Sequence, residues 1–114
     1  MKSRVTTIEF PVLSDYIVHV ELTSDMRKSL DKYPPTKIVP LDDATNAITI
    51  HITGDNFSFM FLPYNVSVGT IAHESWHVIN RMLDQLGVKL DSEVVGYHLG
   101  YMVNRIFRFA RGKK

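Results

Sequence analysis

The sequence has no cysteine among its 114 residues. Disulfides and thiolate metal sites are therefore excluded, and any bound metal must be held by histidine and carboxylate side chains. No apolar run approaches the roughly 20 residues of a membrane-spanning helix. The opening residues MKSRVTTIEFPV lack the apolar core of a secretory signal. Both absences predict a cytoplasmic protein without membrane association. Net charge is only +1 with histidine neutral, so there is no general electrostatic case for nucleic acid or a membrane surface. The one basic cluster, RIFRFARGKK, reads as a solvated helix end, where cations meet the negative pole of the helix dipole. A contact with nucleic acid is the sharper alternative for it. There are no internal repeats and no low-complexity segments.

What is present suffices for one domain, spanning residues 1–114. Hydrophobic residues make up 45% and charged residues 22%, the balance of an ordinary globular protein. Folding a chain of this size buries roughly 60–70% of its unfolded surface. The core therefore needs neither a disulfide nor a metal to form.

The hydrophobic period changes near residue 66. Before it, RVTTIEF (4–10) and YIVHVEL (16–22) are β-branched and partly alternating, which predicts strands. A short helix is expected from Ser24 to about Tyr33, capped by Ser24 or Thr23 and stopped by Pro34-Pro35. KIVPLDDATN reads as a loop with room for a short strand. AITIHIT (47–53) and FSFMFLP (57–63) flank the turn signal GDN and predict a hairpin. After residue 66, Val68, Ile71, Ala72, Ser75, Ile79, Met82, Leu83 and Leu86 recur at helical spacing. Ser67 is the expected cap and Gly87 the expected stop of this helix, 67–87. A second helix, 91–110, starts at Asp91 or Ser92 and carries the stripe Leu99, Met102, Val103, Ile106, Phe107, with Phe109 near its end. Gly96 and Gly100, a turn apart, predict a close helix–helix approach. The expected fold class is α+β, a small antiparallel-rich sheet followed by two C-terminal helices.

The first long helix contains His73-Glu74-Ser75-Trp76-His77. Residues i and i+4 lie on one helix face, so two imidazoles can be aimed at one tetrahedral metal. Glu74, rotated about 100°, is placed to deprotonate a water activated by that metal, as a general base. With 5 histidines and 4 glutamates in the chain, this pattern arises by chance roughly 0.01 times per sequence, and here it falls inside the strongest helical segment. A catalytic zinc site normally has three protein ligands and an open position. Glu93, 16 residues after His77, leads the candidates for the third; Asp91 and His98 are its rivals. Tyr97 shares a helix face with Glu93 and is either an oxyanion-stabilising hydroxyl or a core tyrosine. Trp76 reads as core or cleft wall. His19 and His51 alternate with apolar neighbours and are expected on solvent or partly buried strand faces, not as ligands.

The segment IAHESWHVINRMLDQLG…DSEVVGYHLGYMVNRI resembles the active-site helix and the glutamate helix of the gluzincin group of zinc metallopeptidases. In particular it is similar to the very small zincin-like proteins encoded by bacteriophages and prophages. The resemblance covers residues 67 to about 106. It implies Zn2+ bound by His73, His77 and Glu93, with Glu74 as the general base, in a minimal zincin-like domain; a phage origin would make the cytoplasm that of the host. It also implies a sheet whose edge strand lies along a bound peptide, and FSFMFLP is the segment placed for that role. The function implied is a metalloprotease acting on a peptide or protein. The alternative is a non-catalytic zinc-stabilised binding or assembly module. With one helix after residue 94, the far wall of a substrate cleft is missing, and a second subunit or a partner protein is expected to complete it.

Overall fold

The computed structural model describes residues 3–10, 13, 15–41, 46–52 and 54–112. The element order is β1 (Arg4–Glu9), β2 (Ile17–Thr23), α1 (Met26–Asp31), a single 3-10 turn at Pro34–Thr36, β3 (Ile48–His51), β4 (Phe57–Pro63), α2 (Val68–Gln85) and α3 (Ser92–Ala110). The fold is α+β, a four-stranded mixed sheet followed by two C-terminal helices. The strands run in the order β1-β2-β4-β3. β1 pairs with β2 and β3 with β4 antiparallel, while β2 and β4 pair in parallel. The expected hairpin forms, with Gly54 at φ +85° in its turn, a conformation open to glycine at no steric cost. β4 is not the edge: it lies between β2 and β3, and Ser58–Leu62 are all buried. The edge strand beside α2 is β3.

Strand alternation divides the chain into two cores. Val18, Val20 and Leu22 of β2 and Met60 and Leu62 of β4 face the long helices, where they meet Ile71, Val78, Ile79, Met82, Leu83, Met102 and Ile106. Phe59 and Phe61 point to the opposite face and pack with Leu30 of α1, with Tyr33, Ile48 and Ile50 around them. This second face also takes in Glu21, fully buried. Tyr33 donates a hydrogen bond to its Oε1 at 2.8 Å, and Lys32 Nζ lies 2.9 Å from Oε2. Burial pushes the Glu21 pKa up, but hydrogen bonds from Ser29, Lys32 and Tyr33 and the Lys32 charge outweigh it and leave it lowered.

The caps follow from local chemistry. Asp25, not Ser24 or Thr23, caps α1, accepting from the Lys28 amide; Thr23 instead hydrogen-bonds the Asp25 backbone. Ser67 caps α2 and Asp91 caps α3. At the end of α2, Val88 N donates to Leu83 O at 2.8 Å and Gly87 N to Asp84 O at 3.2 Å, with Gly87 at φ +70°. This pair of bonds is a Schellman stop, and it turns Val88 back toward the helix it leaves. α3 then returns antiparallel to α2: Arg111 near its end donates to Val66 O, just before α2 begins. α3 lies toward β1, where Tyr101 donates to Glu9 O, and α2 lies toward β3. The expectation for Gly96 and Gly100 is overturned. A Cβ at either position meets nothing within 4 Å, and both glycines are exposed, so no helix packs on them. In the basic cluster, Arg111 is the C-cap of α3 and stacks over Phe107, and Arg105 donates to Tyr101 Oη; Lys113 and Lys114 lie outside the described residues.

Candidate metal and hydrolase site

Helical spacing brings His73 and His77 together as predicted. Their Nε2 atoms are 3.2 Å apart, with the rings at 89° to one another. Two nitrogens bound to one tetrahedral zinc, each at roughly 2.0–2.1 Å, stand roughly 3.3 Å apart. The separation of the pair matches that of two ligands of such an ion. Both rings are exposed, the His73 side chain at 67%.

Glu74 faces inward beside them. It is 7% exposed. Its Oε1 accepts a hydrogen bond from Thr49 Oγ1 at 2.6 Å, and its Oε2 lies 4.0 Å from His73 Nε2. The hydroxyl comes from β3, the edge strand, so the carboxylate is tied to the sheet as well as to its own helix. Thr49 is in place because Ile48 and Ile50 turn toward the α1 face, which sends the intervening Thr49 and the following His51 toward α2.

His51 is the second contribution of β3. Its Nδ1 is 2.8 Å from Ser58 Oγ, which in turn is 2.6 Å from the Tyr16 hydroxyl. Burial, then the charges of Arg81 and His77, push the His51 pKa below its ordinary 6.5. Burial raises that of Tyr16 against the opposing effects of the Ser58 hydrogen bond and the Arg81 charge. His51 and His77 together border a cavity of about 490 Å³ that runs along α2 toward its Schellman stop. The sequence carried a signal for Thr49 and His51, namely the period-two placement of both on the face opposite Ile48 and Ile50. It gave no sign that this face would meet the histidine pair, because that depends on β3 being the edge strand beneath α2.

The residues expected from α3 lie elsewhere. Among the described residues, no three His, Asp or Glu side chains are gathered into a set that could hold a metal. Glu93 is exposed at the start of α3. His77 lies eight residues before Gln85, about 12 Å of helix from the turn beside which Glu93 sits. Asp91 spends its carboxylate on the cap, accepting from Glu93 N and Val94 N. His98 is 3% exposed, packs edge-on against Phe10, and leaves its Nδ1 without a hydrogen-bond partner; burial lowers its pKa. Tyr97 is 53% exposed, so it is not a core tyrosine, and its ring contact is with His98. Trp76 is likewise on the surface rather than in the core.

Compared with protein-family models, curated proteins and solved structures, the chain finds no match. No described helix is long and apolar enough to cross a membrane.

Proposed function

We propose that this chain is a zinc-dependent hydrolase acting on peptide bonds. The observation that carries the reading is the convergence of His73 Nε2 and His77 Nε2 to 3.2 Å with the Glu74 carboxylate beside them. His73 and His77 would hold the zinc, which when bound would supply a water acidified to near neutrality. The roles of this chain's own atoms follow from their partners. Glu74 Oε1 is engaged by Thr49, which leaves Oε2, on the His73 side, to take a proton from the attacking water. As the scissile C–N bond breaks, the same oxygen returns that proton to the leaving amine. Thr49 holds the carboxylate in place for both transfers, and β3 is the edge along which an extended peptide can add as a further strand.

The gathering of two donors rather than three favours one second reading. In it the chain is a zinc-stabilised binding or assembly module whose remaining ligand comes from a second copy or a partner protein. That partner would also supply the missing cleft wall, so it suits the hydrolase reading as well. Glu93 stays a proposal as third ligand, and would require α3 to shift toward the histidines.

Bound zinc measured in wild type, Glu74→Gln and His73→Ala tests both readings. Zinc is expected to remain in the first variant and to be lost or much weakened in the second. Wild-type protein that takes up no zinc when zinc is supplied would refute both. Cleavage of a mixed peptide library that disappears in Glu74→Gln supports the hydrolase. A zinc-loaded wild type that cleaves nothing supports the module.

A further inference from the structure

The cavity beside His77 carries both polar and apolar walls. Arg81 and Asn80 follow His77 on α2, and Val88 and Leu90, carried back by the Schellman stop, form the far lip. Its volume of about 490 Å³ is in the range of small-molecule sites. Arg81 lines it with a buried Nε that has no hydrogen-bond partner. Among the described residues no carboxylate pairs with this guanidinium. Asp84, one turn on, also lines the cavity, but it forms no ion pair with Arg81 and is exposed to water. Arg81 shares the cavity wall with His51, the end of the polar chain Tyr16–Ser58–His51. A buried guanidinium Nε without a hydrogen-bond partner is an unsatisfied donor, and such donors call for a partner. The planar fork of arginine matches a carboxylate in particular.

We infer that this cavity binds the carboxylate of a ligand with an apolar body, the carboxylate on Arg81 and Asn80 and the apolar part against Val88 and Leu90. Asp84, which also lines the cavity, repels a dianion more than a monoanion and so favours a carboxylate over phosphate. The half-exposed Leu90 gives the apolar part a surface to cover. The inference rests on the hydrolase reading only for its consequence. Since His77 belongs to both sites, a peptide anchored here presents a bond near its carboxylate to Glu74, so the substrate class is a peptide cleaved close to a free C-terminal end or to an acidic side chain.

The test is binding, followed by backbone amide NMR on the metal-free full chain, so that it does not depend on zinc or on hydrolysis. The probes are N-acetyl-leucine, N-acetyl-leucine amide, N-acetyl-glutamic acid amide and inorganic phosphate. The acid is expected to shift the amides of Asn80, Arg81, Val88 and Leu90 and to bind at least tenfold tighter than its neutral amide and than phosphate. Arg81→Gln is expected to lose at least tenfold in affinity for the acid, and Arg81→Lys to lose less. The glutamic acid amide separates the two sources: binding tighter than N-acetyl-leucine assigns the site to acidic side chains, and weaker binding assigns it to chain ends. Equal affinity for acid and amide in wild type would overturn the inference even if the Arg81 variants failed to fold. Shifts confined to another surface would overturn it too. Zinc uptake measured on the same wild-type protein fails or succeeds independently, so loss of the hydrolase reading and loss of the carboxylate site are separate results.

Discussion

The hydrogen bond from Thr49 to Glu74 joins the edge strand to the helix that carries the histidines, and Thr49→Val removes it with almost no change of shape. The valine keeps the branched side chain that suits a strand and deletes only the donor. What remains is a carboxylate oxygen at a position 7% exposed, short of the partner it had at 2.6 Å. A hydrogen bond to a charged group contributes about 1.5–3 kcal/mol. Unfolding entropy of about 2.1 cal/mol/K per residue makes 1 kcal/mol worth about 4 °C in a domain of this length. Thr49→Val is therefore expected to lower Tm by about 6–12 °C in calorimetry at neutral pH, with Thr49→Ser falling much less because it keeps the hydroxyl.

A double-mutant cycle isolates the bond from the rest of the substitution. Glu74→Gln keeps an acceptor but removes its charge, so Thr49→Val in that background should cost only the neutral value of about 0.5–1.5 kcal/mol. The expected coupling is the difference, about 1 kcal/mol. Strict additivity within about 0.3 kcal/mol would refute the claim that the Thr49 hydroxyl holds an ionised Glu74. A Tm drop below about 2 °C in Thr49→Val would refute the bond itself. On the hydrolase reading the same valine leaves zinc uptake unchanged while slowing peptide cleavage, because it frees the base without touching the ligands.

Gly96→Ala and Gly100→Ala each should stabilise the protein by about 0.5–1 kcal/mol, read as a rise of about 2–4 °C in Tm. Both sites are exposed helix interiors with open space where the methyl would go, and a fall in Tm would mean that something packs there. His98→Leu should raise stability by up to about 1–3 kcal/mol, since it removes a buried nitrogen that has no partner. Its gain should be larger at pH 5 than at pH 8: burial lowers the His98 pKa, so below about 6.5 the unfolded chain takes up a proton that the fold resists, and stability drops with pH. Urea unfolding at the two pH values checks this, and a gain that is the same at both would refute it. His19 and His51 are lowered in the same direction, so part of the acid sensitivity should survive the substitution.

The elements that could be read from sequence are those whose signals are local. Apolar recurrence at 3.6 residues, a serine before it and a glycine after it define α2, and Ser67 and Gly87 act as such residues should. The GDN turn between two alternating segments defines the β3–β4 hairpin. Local signals failed where neighbouring capping residues competed. Thr23, Ser24 and Asp25 are all capping residues, and Thr23 was drawn away to bond the Asp25 backbone, leaving Asp25 to cap α1. Gly96 and Gly100 failed for a different reason. Their spacing is equally that of a packed face and of a solvent face, and Met102 and Ile106 rather than the glycines turned toward the core.

The candidate site divides along the same line. His73, Glu74 and His77 are fixed relative to one another by helix geometry alone, so their convergence could be expected before any tertiary structure was known. A partner from another element is set by sheet order, which no local pattern encodes. A short connection from α2 makes α3 the natural source of a third group, which is why Glu93 and Tyr97 are the candidates the sequence offers. The strand order β1-β2-β4-β3 puts α3 over the β1 side and the histidine helix over the β3 side. The side chains that reach the site from outside α2 are accordingly Thr49 and His51, from a four-residue strand whose alternation looked ordinary. Parallel pairing of β2 with β4 is the decisive step. It places β4 at the centre and leaves β3 as the outer strand, so Thr49 and His51 border the histidine helix at the open side of the sheet.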